Sequence, residues 1–325
     1  MSTASHQLPR VSVVIPVYRR TDLLRKALVS LLRQDLAGDE YEIVVVDSSP
    51  DNRNVLLVEE LSSQAPCALR CLTKKPEGPG PSRNLGFHHA RAQVIAFMDS
   101  DCEASPDWLR QGLAAFSEGI GIVQGRTRPD PSVRRGIFNY YLAVENESFL
   151  YETANIFYRR QALEQSGGFQ ADLTPTAETP MGSEDTEVAW TVIRLGWKTR
   201  FCPEAIVYHA VFPASPWQWL FSPRLFCFPR LTRRFPELRR FMVCAYFFDR
   251  AQAFFVPALF GILLSLKFSW ALVLCLPYAV FRASEPTRSL GGILRPLRIA
   301  PYFVRDVLSF FILSAGSLRY RSLLL

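Results

Sequence analysis

Short unbroken apolar runs alternate with segments of helical period through the N-terminal part of the chain. Val11-Ser-Val-Val-Ile-Pro-Val17 reads as a buried strand. Behind Thr21-Asp22, which supplies a helix start, Leu23, Leu24, Ala27, Leu28, Leu31 and Leu32 recur at helical spacing. Tyr41-Glu-Ile-Val-Val-Val-Asp47 gives a second strand with little polar alternation, as expected where helices cover both sheet faces. This β-α-β order predicts a parallel, doubly wound α/β sheet with ligands at the C-terminal ends of its strands. A further apolar run, Val94-Ile-Ala-Phe-Met98, stops abruptly at Asp99-Ser100-Asp101. Alternation along an extended chain sets both carboxylates on one side and Ser100 on the other.

The pattern changes near Arg240, where long stretches of Phe, Leu, Ala and Val take over, broken by few charges. The expected division is therefore an α/β domain over 1–240 and a hydrophobic helical region over 241–325. Within the latter, a pair of apolar helices is expected over about 251–281 and an amphipathic helix over about 299–318, the second because Arg305 and Asp306 interrupt it. Each run of the pair falls short of the ~20 residues of an upright span. A membrane hairpin and a re-entrant or interfacial pair both remain open.

Composition adds a sign to this picture. The chain has 325 residues, 49% of them hydrophobic, and a formal net charge of +7. Arg233-Arg234, Arg239-Arg240, Arg282, Arg288, Arg295 and Arg298 flank the apolar runs, a placement that suits an anionic membrane face on the cytoplasmic side. No nucleic-acid-binding motif accompanies them. Seven cysteines without paired spacing predict free thiols in a reducing compartment. The polar N-terminus lacks an apolar signal core, so the α/β domain is expected in the cytoplasm.

The candidate chemistry lies at strand ends. Asp99 and Asp101 suit a hard divalent cation, Mg²⁺ or Mn²⁺, although the same residues could form a turn or helix start. Asp47 can accept a hydrogen bond from a ribose hydroxyl or a base N–H, or close an Asx turn with Ser48 and Ser49. The turn Pro16-Val-Tyr-Arg-Arg-Thr21 lacks the glycines of a dinucleotide-binding cradle, which argues against a dehydrogenase. Glu77-Gly-Pro-Gly-Pro-Ser-Arg83 is a Gly/Pro loop entering a helix whose N-terminus could meet a diphosphate. Glu184, Asp185 and Glu187 read either as catalytic acids or as first-turn residues favoured by a helix dipole.

In combination, VSVVIPVYRR, VVVDSS, GPSRNLG and VIAFMDSD resemble the family 2 glycosyltransferases with a GT-A fold, from Val11 to about His209. The resemblance implies a Rossmann-like mixed sheet and transfer of a sugar from a nucleoside diphosphate sugar, UDP-sugars first. It sets Pro16, Tyr18, Asp47, Arg83 and Asp99 at the nucleotide, and Asp101 at a Mn²⁺ or Mg²⁺ ion with Asp99 and His209 nearby. Asp185 becomes the general base, with Glu184 as the alternative. Thr153-Ala-Asn155-Ile-Phe-Tyr-Arg159 resembles an acceptor-side strand. A QxxRW motif is missing around Trp217-Gln218-Trp219, which favours non-processive transfer. The expected partners are the sugar donor, a lipid-linked or surface-glycan acceptor and membrane lipids, with no nucleic acid. A non-catalytic membrane scaffold and a nucleotidyltransferase are the competing classes.

Overall fold

The computed structural model describes residues 8–134, 136, 138–171, 182–284 and 299–325. Two compact units form, one from 1–134 and 141–211, the other from 135–140 and 212–325. The change of composition near Arg240 falls inside the second.

The first unit is built on an 8-stranded sheet. Strand β1 (Val11–Val17) is followed by helix α1 (Thr21–Leu31), β2 (Tyr41–Asp47), α2 (Arg53–Ser62), β3 (Ala68–Thr73), α3 (Pro79–His89) and β4 (Val94–Met98). These strands pair in parallel, Val11 to Val17 of β1 aligning with Tyr41 to Asp47 of β2. Their apolar runs are continuous because helices cover both faces, and every residue of β2 and β4 is buried. Leu24, Ala27, Leu28 and Leu31 form the buried stripe of α1, as their spacing predicts. Thr21 is not its cap: Arg20 occupies that position, and the Thr21 hydroxyl donates instead to Asn54 Oδ1 at 2.9 Å. Gly86 lets α3 lie close to the sheet, since a Cβ there would meet Val14 Cγ1 at 2.4 Å.

After β4 come β5 (Cys102–Ala104), α4 (Trp108–Ala114) and β6 (Ile120–Pro129), then, beyond a two-residue strand in the second unit (β7, Asn139–Tyr140), β8 (Asn155–Arg159), α5 (Arg160–Ser166), α6 (Glu184–Arg194) and β9 (Lys198–His209). The strand order is β3-β2-β1-β4-β8-β6-β9-β5. Strand β8 runs antiparallel between β4 and β6, so the doubly wound half becomes a mixed sheet. Its Asn155 ties three elements together. Trp108 Nε1 donates to Asn155 Oδ1 at 2.8 Å, while Asn155 Nδ2 donates to the carbonyls of Arg126 and Ala205, each at 2.9 Å. All seven cysteines are free.

In the second unit β7 pairs with β10 (Phe212–Pro213), followed by α7 (Pro216–Leu220), α8 (Phe228–Arg234), α9 (Arg250–Ser265), α10 (Leu276–Ser284) and α11 (Ile299–Tyr320). A capping box between Ser215 and Gln218 starts α7. Helix α9, a 3₁₀ segment at Ser269–Cys275 and α10 form a hairpin, with Gly261 close against the Ala271 carbonyl. Phe255, Tyr278, Phe303 and Phe310 form the aromatic centre of α9, α10 and α11. Asp306, expected on a polar outer face of an amphipathic helix, is instead 3% exposed and ion-paired with Arg282. Helix α11 is the one helix among the described residues that is long and apolar enough to cross a membrane. Arg288, Arg295 and Arg298 lie outside the described residues.

Candidate active site

Pro16, Tyr18, Asp47, Asp99, Asp101 and His209 lie at or just beyond strand ends, whereas Arg83 comes from α3 and Glu184 and Asp185 from the start of α6. Pro16 lies within β1 beside Val46, beyond the last pairing with β4 at Val14. The chain leaves β1 through Tyr18, which is 48% exposed, and then through Arg19 and Arg20 at φ 59° and 63°. Two successive non-glycine residues in the left-handed region are strained and need external restraint. They find it at the end of β2: Arg19 N donates to Ser49 Oγ at 2.6 Å, and Asn54 Nδ2 donates to the Arg19 carbonyl at 3.3 Å. Asp47, 2% exposed, accepts from Ser49 N at 2.9 Å and Asn54 Nδ2 at 3.1 Å through Oδ1. The Asx turn therefore forms and uses one carboxylate oxygen. No hydrogen bond among the described residues engages Oδ2.

Asp99 and Asp101 do not lie on one side of an extended strand. Strand β4 ends at Met98, and the chain turns, with Cys102 N donating to the Asp99 carbonyl at 3.1 Å. The two acids consequently face different partners. Asp99 Oδ1 accepts from Arg83 Nη2 at 2.9 Å. Asp101, 9% exposed, meets Arg20 Nη1 at 2.6 Å and His209 Nε2 at 3.7 Å. Pairing of β5 with β9, Cys102 opposite His209, brings the histidine there.

The His209 ring is oriented for ligation. Its Nδ1 lies 2.6 Å from the Ala210 carbonyl, an oxygen that only accepts, so Nδ1 carries a proton and Nε2 is the ring nitrogen that faces Asp101. Burial and the nearby Asp99 charge raise the Asp101 carboxyl above its ordinary value, opposed by His209 and Arg20. Asp101, Cys102 and His209 offer ligand atoms within 4.8 Å of one another. The Asp101 carboxylate suits Mn²⁺ or Mg²⁺, with the His209 nitrogen as a further donor, and a bound cation would favour the charged form that burial opposes.

Arg83 is 4% exposed. Besides Asp99 it reaches Glu184 Oε1 at 3.1 Å, and although burial disfavours its charge, Asp99, Glu184 and Asp185 together hold its pKa above the ordinary value. It is engaged with carboxylates rather than presented to an open diphosphate site at a helix start. Glu184 is 5% exposed, whereas Asp185 is half-buried with Oδ1 accepting from Thr186 N at 2.8 Å. Both open α6.

Three residues here were not singled out from the sequence. Arg20 reaches Asp101 only because its backbone turns left-handed, and Asn54 holds Asp47 from the start of α2. Glu152 is the third. It accepts from Gln124 Nε2 at 3.2 Å and Ser148 Oγ at 3.1 Å, and burial, reinforced by the Asp185 charge, pushes its carboxyl up to about 7. Only the Asx and capping logic around Asp47 could have drawn attention to Asn54.

A mixed sheet with acidic residues gathered at its strand ends is the arrangement of the GT-A fold. Residues 12–171 match the family model described as "Glycosyl transferase family 2", and the chain belongs to that family. The "Glycosyltransferase AglE" of Haloferax volcanii is 24% identical over 64% of this chain and 68% of its own length. The "Probable glycosyltransferase YdaM" of Bacillus subtilis is 26% identical over 62% of this chain, which spans about half (51%) of that relative. Two solved structures share the fold. The mannosyltransferase PcManGT from Pyrobaculum calidifontis, in complex with GDP-Man and Mn²⁺, aligns with a TM-score of 0.59 and 18% identity over 97% of this chain and 88% of its own. S. aureus TarS 1–349 in complex with UDP-GlcNAc aligns with a TM-score of 0.52 and 19% identity over 96% and 92%.

Proposed function

We propose that the protein moves a sugar from a nucleoside diphosphate sugar to a lipid-linked or surface-glycan acceptor at the cytoplasmic face of a membrane. Transfer is non-processive, inverts the anomeric centre and depends on Mn²⁺ or Mg²⁺. The observation that carries this reading is the division of labour at the start of α6: Glu184 neutralises buried Arg83, while its neighbour Asp185 keeps solvent access.

Asp185 then acts as general base. The acceptor oxygen attacks the anomeric carbon, its proton passes to the Asp185 carboxylate, and the bond from that carbon to the diphosphate oxygen breaks. Asp47 reads the nucleobase or ribose through Oδ2, and Asp99, steadied by Arg83, contacts the ribose. Asp101 and His209 would hold the divalent ion, whose charge would offset that developing on the departing diphosphate. The GDP-Man and UDP-GlcNAc held by the two structural relatives support a nucleotide-sugar donor, with UDP favoured here.

The hairpin supports membrane attachment. Leu266 is 88% and Trp270 69% exposed at its tip, with Phe260, Leu263 and Leu272 also more than half exposed. A contiguous apolar surface of this kind marks a membrane or partner contact.

The test is a donor screen on detergent-purified protein with UDP-, GDP- and dTDP-sugars, reading metal-dependent release of nucleoside diphosphate. Release from one donor, lost in Asp101→Ala, supports the assignment. Pyrophosphate release from a nucleoside triphosphate points to a nucleotidyltransferase, and no metal-dependent nucleotide binding at all points to a scaffold.

A further inference from the structure

The second unit contains a cavity of about 620 Å³ at the N-terminal end of α9, with Arg250, Gln252, Arg282, Tyr302, Arg305 and Asp306 in its wall. Its charges are unequally satisfied. Arg282 pairs with Asp306, which also accepts from Tyr278 OH at 2.6 Å. Arg250 and Arg305 have no ion pair or hydrogen bond among the described residues, Arg305 only lying 5.2 Å from the Trp219 ring centre. Asp249, also in the wall, caps α9 by accepting from Gln252 N at 2.9 Å.

Gln252 gives the independent sign of a ligand. It is 2% exposed, its Nε2 donates to the Asp306 carbonyl at 3.3 Å, and its Oε1 is buried without a partner. Reversing the amide would set its oxygen against that carbonyl, so the orphan is an acceptor. A buried polar atom left unpaired costs about 1–3 kcal/mol and calls for an O–H or N–H donor. The wall therefore offers guanidinium donors for an anion and one acceptor for a hydroxyl. Three arginines against two aspartates leave one positive charge, which matches a phosphodiester.

The depth of the cavity favours a lipid. Helix α9 has 16 residues, a rise of about 24 Å from the arginine end to the apolar hairpin tip. A tip at the bilayer midplane lies about 15 Å below the edge of the hydrocarbon, which leaves the first turn of α9 at headgroup level.

We propose that this cavity binds the headgroup of a phosphodiester lipid bearing a free hydroxyl, phosphatidylglycerol being the simplest. Arg250 and Arg305 take the phosphate, and Gln252 Oε1 accepts from the glycerol hydroxyl. The assignment rests on the membrane reading above.

The experiment measures binding of the full-length protein to vesicles of phosphatidylcholine containing equal fractions of phosphatidylglycerol or phosphatidylmethanol. The two anionic lipids carry the same charge, so surface attraction treats them alike. We expect about tenfold tighter binding to phosphatidylglycerol, the scale of one buried hydrogen bond. Gln252→Leu and Arg305→Gln each abolish the preference, and Gln252→Leu keeps or raises the lipid-free unfolding midpoint. Equal binding to both lipids, or a preference that survives both substitutions, overturns the pocket and leaves the membrane reading standing. Failure to bind any vesicle overturns both. Stabilisation by soluble glycerophosphoglycerol equal to that by the lipid overturns the lipid assignment in favour of a soluble ester.

Discussion

Arg83 and Glu184 stand 101 residues apart in sequence and meet at 3.1 Å, with side chains only 5% and 6% exposed. Neither charge tolerates its site alone, because each has left water for a low-dielectric surrounding. Substituting Arg83→Met strands the Glu184 carboxylate and is expected to destabilise the first unit by about 3–5 kcal/mol, read by denaturant unfolding. Glu184→Gln in the same chain should recover part of that loss. A double variant no more stable than Arg83→Met would show that the pair is not what holds the two segments together.

Asp185 and Glu184 are adjacent but separable by this pairing. Asp185→Asn should lower sugar transfer by about 10²–10⁴-fold while leaving the unfolding midpoint and nucleotide binding near the parent values. Glu184→Gln should instead lower stability along with activity. Full turnover by the Asp185 variant would remove it as the base.

Glu152 ties stability to pH. Its folded carboxyl sits at about 7, against an ordinary 4.5, because of burial first and the Asp185 charge after the opposing backbone hydrogen bond. The folded state therefore holds a proton that the unfolded chain releases. This contribution, on the order of 3 kcal/mol, is fully present below pH 4.5 and lost as pH rises to about 7. Glu152→Gln should flatten the fall in unfolding free energy across that window and make the variant the more stable protein at pH 8. Parallel pH profiles for parent and variant would exclude this origin.

Metal affinity should depend on Asp101 and His209 separately from catalysis. Titrating Mn²⁺ while following thermal unfolding should show a rise in midpoint that His209→Ala weakens by about tenfold or more in affinity and Asp101→Asn removes, since each deletes a donor. An unchanged Mn²⁺ response in both variants would place the ion elsewhere.

The alternation of apolar runs with helical-period segments determined β1, β2, β4 and the buried stripe of α1, because strands covered on both faces and amphipathic helices write their periods directly into neighbouring residues. The same local logic marked Asp47, Asp99, Asp101 and Asp185 as acids at element ends, and the shift of composition marked the helical region. What those acids face was decided by pairings between distant segments. His209 meets Asp101 because β5 and β9 pair, Glu184 at the start of α6 forms an ion pair with Arg83 of α3, and Arg282 buries Asp306 within α11. Such contacts leave no periodic trace in either partner. Only the folded chain determines which carboxylates are neutralised inside and which remain available for chemistry.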